Sequence, residues 1–157
     1  MLLFGKPTHY FLCSGDAEGF SPLNAFDCAL LAAGVGNTNL MKMSSILPPA
    51  MTQTGIVPLE PGSFVPLAYA DITSSIPGEH VAAAVAVAIP EDPSLPGVIM
   101  EHHSTGHAED VERQVRAMAE AAMIHRGFKI KEIKSISAEH TVQKHGAAFA
   151  AVVLHRQ

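Results

Sequence analysis

Tryptophan is absent from this chain of 157 residues, and tyrosine and cysteine occur only twice each. Cys13 and Cys28 make neither a disulfide framework nor a spaced metal or redox motif, so they read as small buried hydrophobes. Positive charge is also scarce. Ten Lys and Arg stand against fifteen Asp and Glu, a formal net charge of -5, with no basic block. That balance argues against a nucleic-acid partner, since backbone phosphates are bound by clustered cations. Long apolar runs are missing too: the longest weakly polar stretch, Val81 to Ile89, has nine residues, against the ~20 that a spanning helix needs. The amino-terminal MLLFGKPTHYFLC lacks the charged head and long apolar stretch of a signal peptide. No membrane partner and a cytoplasmic location are therefore expected.

What is present is apolar. The hydrophobic fraction is 48% and the charged fraction 16%, the latter well under the ~25% of an average soluble chain. A chain of this length builds one sizeable core, and the apolar surplus points to a subunit interface. No internal repeat, low-complexity tract or linker interrupts it, so residues 1–157 are read as one domain.

Patterning gives two helices and six or seven strands. Residues 8–14 read as a strand, and the Gly-Asp-Ala-Glu-Gly of 15–19 as a turn. Ser21 and Pro22 supply a cap hydroxyl and a first-turn proline, and Gly34 a stop. Between them Leu23, Phe26, Leu30 and Ala33 form one stripe, with Asp27 on an adjoining face. Residues 37–44 alternate as a strand that Pro48 and Pro49 then halt, and 50–63 read as a loop or short edge segment. Further strands are expected at 64–74, 80–89, 97–103, 128–137 and 147–154, with a helix over 108–126. The AAAVAVAI run of the 80–89 strand suits a strand closely covered by a helix. The expected class is α+β, with helices on sheet faces.

The least ordinary stretch is GVGNTNLMKMSSILPP, residues 34–49. On spacing alone, Ser44-Ser45 is an ordinary strand end, and the glycines and asparagines are ordinary turn formers. Taken together, however, SPLNAFDCALLAAGVGNTNLMKMSSILPP, AVAIPEDPSLPGVIMEHHSTG and IKSISAEHTVQKHGAAFAAVVL resemble the pyruvoyl-dependent arginine decarboxylases. The resemblance is collinear from about Tyr10 to Leu154.

The resemblance implies a four-layer α-β-β-α sandwich, made as a self-cleaving precursor and assembled as a trimer or dimer of trimers with active sites between subunits. It implies cleavage between Ser44 and Ser45 into fragments 1–44 and 45–157, with Ser45 becoming a covalent pyruvoyl group. Attack of the Ser45 hydroxyl on the Ser44 carbonyl would give an ester; loss of the Ser45 α-proton would eliminate it, and hydrolysis would release ammonia and leave a ketone. A planar amide is a poor electrophile, so distortion or polarising donors are needed at this peptide. Asn39 resembles the asparagine that assists, with its amide within reach of the Ser44 carbonyl.

The implied activity is decarboxylation of L-arginine to agmatine and carbon dioxide through a Schiff base to the pyruvoyl group, with neither metal nor pyridoxal phosphate. Glu101 resembles the glutamate that returns a proton to the α-carbon. Asp27 resembles the aspartate that meets the guanidinium, which a carboxylate accepts in two parallel bonds. Leu23, Leu30, Gly36, Thr38, Ser44 and Ile46 complete the implied substrate contacts. Two other readings stay open: decarboxylation of another amino acid by the same chemistry, and an unprocessed oligomerising domain without activity. His102, His103 and His107 suggest a metal cluster, but neighbouring strand residues point to opposite faces, and no metal site is expected. His140 and His145 are expected in core or interface hydrogen bonds.

Overall fold

The computed structural model describes residues 5–157. Residues 1–4, the start of the segment read as lacking a signal peptide, lie outside the described residues. The chain runs β1 (His9–Glu18), α1 (Pro22–Ala33), β2 (Asn39–Lys42), β3 (Ile46–Leu47), β4 (Thr52–Gln53), β5 (Phe64–Ser74), β6 (His80–Pro90), β7 (Gly97–Thr105), α2 (Ala108–Arg126), β8 (Ile130–Thr141) and β9 (Gly146–His155). The fold is α+β, with two mixed or antiparallel sheets and two helices among the described residues. One sheet has the order β2-β5-β9-β1-β4, the other β3-β7-β6-β8. No helix among the described residues is long and apolar enough to cross a membrane.

Both helices sit where the sequence predicts. Ser21 caps α1 by accepting the Asn24 N–H at 3.2 Å, and Gly34 closes it in the left-handed region at φ 88°. The face it buries differs from the expected stripe. Ala25, Ala29, Leu30 and Ala33 pack on Phe11, Cys13, Phe149 and Val153, whereas Leu23 is 76% exposed. Small residues let the helix lie close to its sheet, and the same demand corrects the reading of 15–19. Gly15 continues β1 because a β-carbon there would come within 2.4 Å of the Ala29 carbonyl oxygen of α1. Its glycine marks a close approach, not a turn. One further correction concerns a short strand, since β2 ends two residues before Ser44, whereas β4 falls at a sheet edge within the expected loop or short edge segment.

The β6 alternation divides two packing zones. Ala82, Ala84, Ala86 and Ala88 meet Val111, Val115, Ala119 and Met123 of α2, as the alanine run led us to expect. Val85 and Val87 point the other way, onto Tyr10, Ala68, Ala150 and Val152 of the first sheet. Burial also pushes the Cys13 thiol up to about 12, which leaves it an unreactive hydrophobe.

At one end a histidine ties the sheets together. His140 of β8 reaches Asp16 at 2.8 Å through Nδ1 and Glu18 at 2.5 Å through Nε2, both on β1. Desolvation alone would lower the His140 pKa, but hydrogen bonds and charge from Asp16 and Glu18 raise it above its usual 6.5. For Glu18, desolvation acts upward and is outweighed by the Lys144 N–H, His140, and the Gln143 and His145 N–H groups, which bring it from 4.5 to about 2. His140 therefore stabilises the fold fully below pH 6.5 and loses that contribution as pH rises through its elevated value. Glu18 contributes above 4.5 and loses its share as pH falls toward 2. Thermal unfolding across pH should show the deficit of His140→Gln at its largest between 4.5 and 6.5. A pH-independent deficit would mean that His140 contributes packing alone.

Candidate active site

Gly36 passes so close to α1 that a β-carbon would lie 2.6 Å from the Leu31 side chain. Thr38 then folds back, its hydroxyl donating to the Val35 carbonyl at 2.7 Å. Asn39 starts β2 with its N–H on Ser63 at 2.8 Å and its side-chain amide on the Gly62 carbonyl at 2.9 Å. The Asn39 amide is thus occupied by Gly62 and not by the Ser44 carbonyl, where the sequence led us to expect it. From here β2 runs parallel to β5, and the Met43 N–H closes on Leu67 at 3.0 Å.

After Met43 the chain changes sheets. Ile46 and Leu47 pair with Val98 and Gly97 of β7, and the Ser45 carbonyl accepts the Ile99 N–H at 2.9 Å. Ser44-Ser45 is the link between the two sheets, anchored on both sides. Ser45 takes φ 96°, which a residue with a β-carbon adopts only under constraint. Such a conformation costs about 1–3 kcal/mol and persists where surrounding structure enforces it.

A cleft of about 240 Å³ opens on this link, lined by Ser44, Ser45, Ile46, Val98, Ile99, Met100, Glu101 and Arg126. Glu101 lies opposite Val85 in the sheet register and shares the inward face of β7 with Ile99. Its Oε1 is 3.1 Å from Lys42 Nζ, and that ammonium also sits 4.6 Å from the centre of the Tyr69 ring. Glu101 Oε2 is buried and has no hydrogen-bond partner among the described residues. Here the strained serine and a carboxylate with one unsatisfied oxygen face the same small volume. A larger hollow of about 600 Å³, bounded by Pro7, Leu59, Phe64, Leu154 and Arg156, holds none of the candidate catalytic residues.

The structure brings together Ser44, Ser45, Ile46 and Glu101, but not the remaining candidates. Asp27, Leu23, Leu30, Gly36, Thr38 and Asn39 do not line this cleft. Asp27 is exposed beside Leu23 on α1, whereas Leu30 is only 8% exposed and packs in the core. Phe20, 90% exposed, extends the apolar surface at that end of the helix. Sequence reasoning missed Lys42 and Arg126. Lys42 was legible, standing two residues before Ser44 on a strand; Arg126 comes from the far end of α2 and left no local signal.

A pyruvoyl-dependent arginine decarboxylase of Methanocaldococcus jannaschii is 47% identical over 151 residues, covering 96% of this chain and 92% of the relative. One from Pyrococcus abyssi is 42% identical over 151 residues, covering 94% and 95%. Among solved structures, a pyruvoyl-dependent histidine decarboxylase superposes with a TM-score of 0.51 at 17% identity. That likeness, over 63% of this chain and 53% of the other, concerns the fold alone. With residues 9–157 matching the family described as pyruvoyl-dependent arginine decarboxylase (PvlArgDC), and relatives alike along nearly their whole length, the chain belongs to that family.

Proposed function

We propose that this protein cleaves itself between Ser44 and Ser45, converts Ser45 to a pyruvoyl group and decarboxylates L-arginine to agmatine. The observation that carries the reading is the strained Ser45 backbone, φ 96°, opening on the same cleft as Glu101. In the first step the Ser45 hydroxyl attacks the Ser44 carbonyl, the peptide C–N bond breaks, and an ester replaces the amide. Loss of the Ser45 α-proton then expels the Ser44 carboxylate, and water releases ammonia from residue 45. The Ile99 N–H holds the Ser45 carbonyl during this sequence. Residues 34–49 fit such a group, since the position that becomes the ketone is anchored on both sides and opens on a cleft. The pyruvoyl group supplies an electron sink for the pair left by departing carbon dioxide, and Glu101 delivers a proton to the substrate α-carbon.

Asp27 and Leu23 lie outside the cleft on an exposed, partly apolar helix surface. We assign Asp27 to the guanidinium end and Leu23 to the aliphatic part of arginine in the cleft of a neighbouring subunit, with Gly36 and Thr38 forming the backbone wall and Leu30 supporting it from the core. The packing of α1, the two sheets and α2 supports a four-layer α-β-β-α sandwich, and the exposed Phe20 and Leu23 support association of subunits, which we assign to a trimer or dimer of trimers. Two free cysteines, Cys13 buried, suit a reducing cytoplasm.

Purified, processed protein should release carbon dioxide from carboxyl-labelled arginine and leave agmatine, with histidine a far poorer substrate. Equal turnover of both would detach the substrate assignment from Asp27. Replacing Asp27 with Asn removes the charge from the proposed guanidinium contact, worth about 1.5–3 kcal/mol. KM for arginine should rise roughly 10- to 100-fold, with self-cleavage unchanged. An unaltered KM would place Asp27 outside the substrate site.

A further inference from the structure

Away from the serine cleft, three metal-ligating side chains from distant parts of the chain converge. Ala82 faces α2, and the β6–β8 register sets Glu139 directly opposite it; His80, two residues before Ala82, shares that face. The loop after β7 then carries His107 over the pair. Gly106, at φ 120°, donates its N–H to the His80 carbonyl at 2.8 Å, fixing the loop beside the strand. His107 occupies the cap position of α2 but makes no capping bond with its side chain. Its Nδ1 lies instead 2.5 Å from Glu139 Oε1, and its ring centre 4.9 Å from that of His80. Ligand atoms from all three residues lie within 4.8 Å of one another.

We propose that His80, His107 and Glu139 form a binding site for a divalent transition metal of the zinc class. Two imidazoles and a carboxylate are the donor set that zinc takes when it keeps a fourth position for water. His80 already has the outer support such a ligand needs: its Nδ1 is 3.1 Å from the Thr141 hydroxyl, which fixes the ring and leaves Nε2 for the metal. His107 also lines a cleft of about 290 Å³ that includes His102, Ser104, Asp110 and Gln114. Metal–ligand bonds of about 2.0–2.2 Å in a tetrahedron separate ligand atoms by about 3.3–3.6 Å. The His107–Glu139 contact, now 2.5 Å, opens by that difference when the metal enters. The ion clasps the starts of β6 and α2 to the end of β8, and it has no part in decarboxylation.

Titration calorimetry of untagged, metal-free protein with zinc chloride alone tests this. One zinc per protomer is expected, and His80→Ala, His107→Ala and Glu139→Gln should each weaken binding at least tenfold. The exposed His125, changed to Ala, serves as the control and should leave affinity unaltered. Glu139→Gln keeps the side chain's size, so a loss of binding without a loss of metal-free thermal stability separates ligation from misfolding. Cobalt substitution should give the intense visible bands of a tetrahedral site. No saturable binding, or an affinity that survives all three substitutions, overturns the proposal. Arginine turnover after chelation should be unchanged, and its loss would overturn the assignment of the metal to a purely structural clasp.

Discussion

Replacing Ser45 with alanine should leave a single uncut chain of 157 residues and abolish arginine decarboxylation. The argument rests on the hydroxyl, which is both the nucleophile that breaks the Ser44–Ser45 peptide and the source of the carbon skeleton of the new group. No other side chain of the cleft can supply both. A denaturing intact-mass spectrum is the direct measurement: the native sequence should yield fragments 1–44 and 45–157, the latter without a free amino terminus, and the variant one species. Glycine at the same position provides a second, independent reading. It also lacks the hydroxyl and stays uncut, but it adopts φ 96° without the cost that alanine retains. The glycine variant should thus be more stable than the alanine variant by about 1 kcal/mol. Cleavage of either variant would remove Ser45 as the nucleophile. Equal stabilities would show that the backbone at residue 45 is not strained.

The family resemblance, not local patterning, singled out the serine pair, and neither showed what holds it. Local signals place α1 well, because Ser21, Pro22 and Gly34 act within a turn of themselves. They fail for Gly15, whose role depends on Ala29 of α1, 14 residues later, pressing on it. They also fail at β3, a two-residue strand that exists only because β7 offers an edge to pair with. The sheet switch at Ser44-Ser45 is of this kind. Only the pairings of Lys42 with Leu67 and of Ile46 with Val98 show that the dipeptide spans two sheets. Histidines illustrate the same limit. Proximity in sequence grouped His107 with His102 and His103, whereas the β6–β8 register joins it to His80 and Glu139. As for Asp27, its helix face was legible, but what it faces is not decided within one chain.

Changing Glu101 to glutamine should slow decarboxylation by about 100-fold or more, with KM for arginine and self-cleavage little changed. Lys42 holds Oε1 at 3.1 Å, so this carboxyl group is fixed in orientation by one oxygen. The other, Oε2, is buried without a donor. Leaving such an acceptor unsatisfied costs about 1–3 kcal/mol. Glu101 and Ser45 line the same cleft, and it is there that the substrate α-carbon needs a proton after carbon dioxide leaves. Glutamine preserves the length and planarity of the side chain, and its carbonyl can still face Lys42. Its amide cannot give up a proton at neutral pH. General acid catalysis by a positioned carboxyl contributes about 10²–10⁴ in rate, so the loss should appear in kcat. If KM rose instead while kcat held, Glu101 would be a binding residue. An undiminished kcat would assign the proton to another group, and Lys42 would be the nearest candidate.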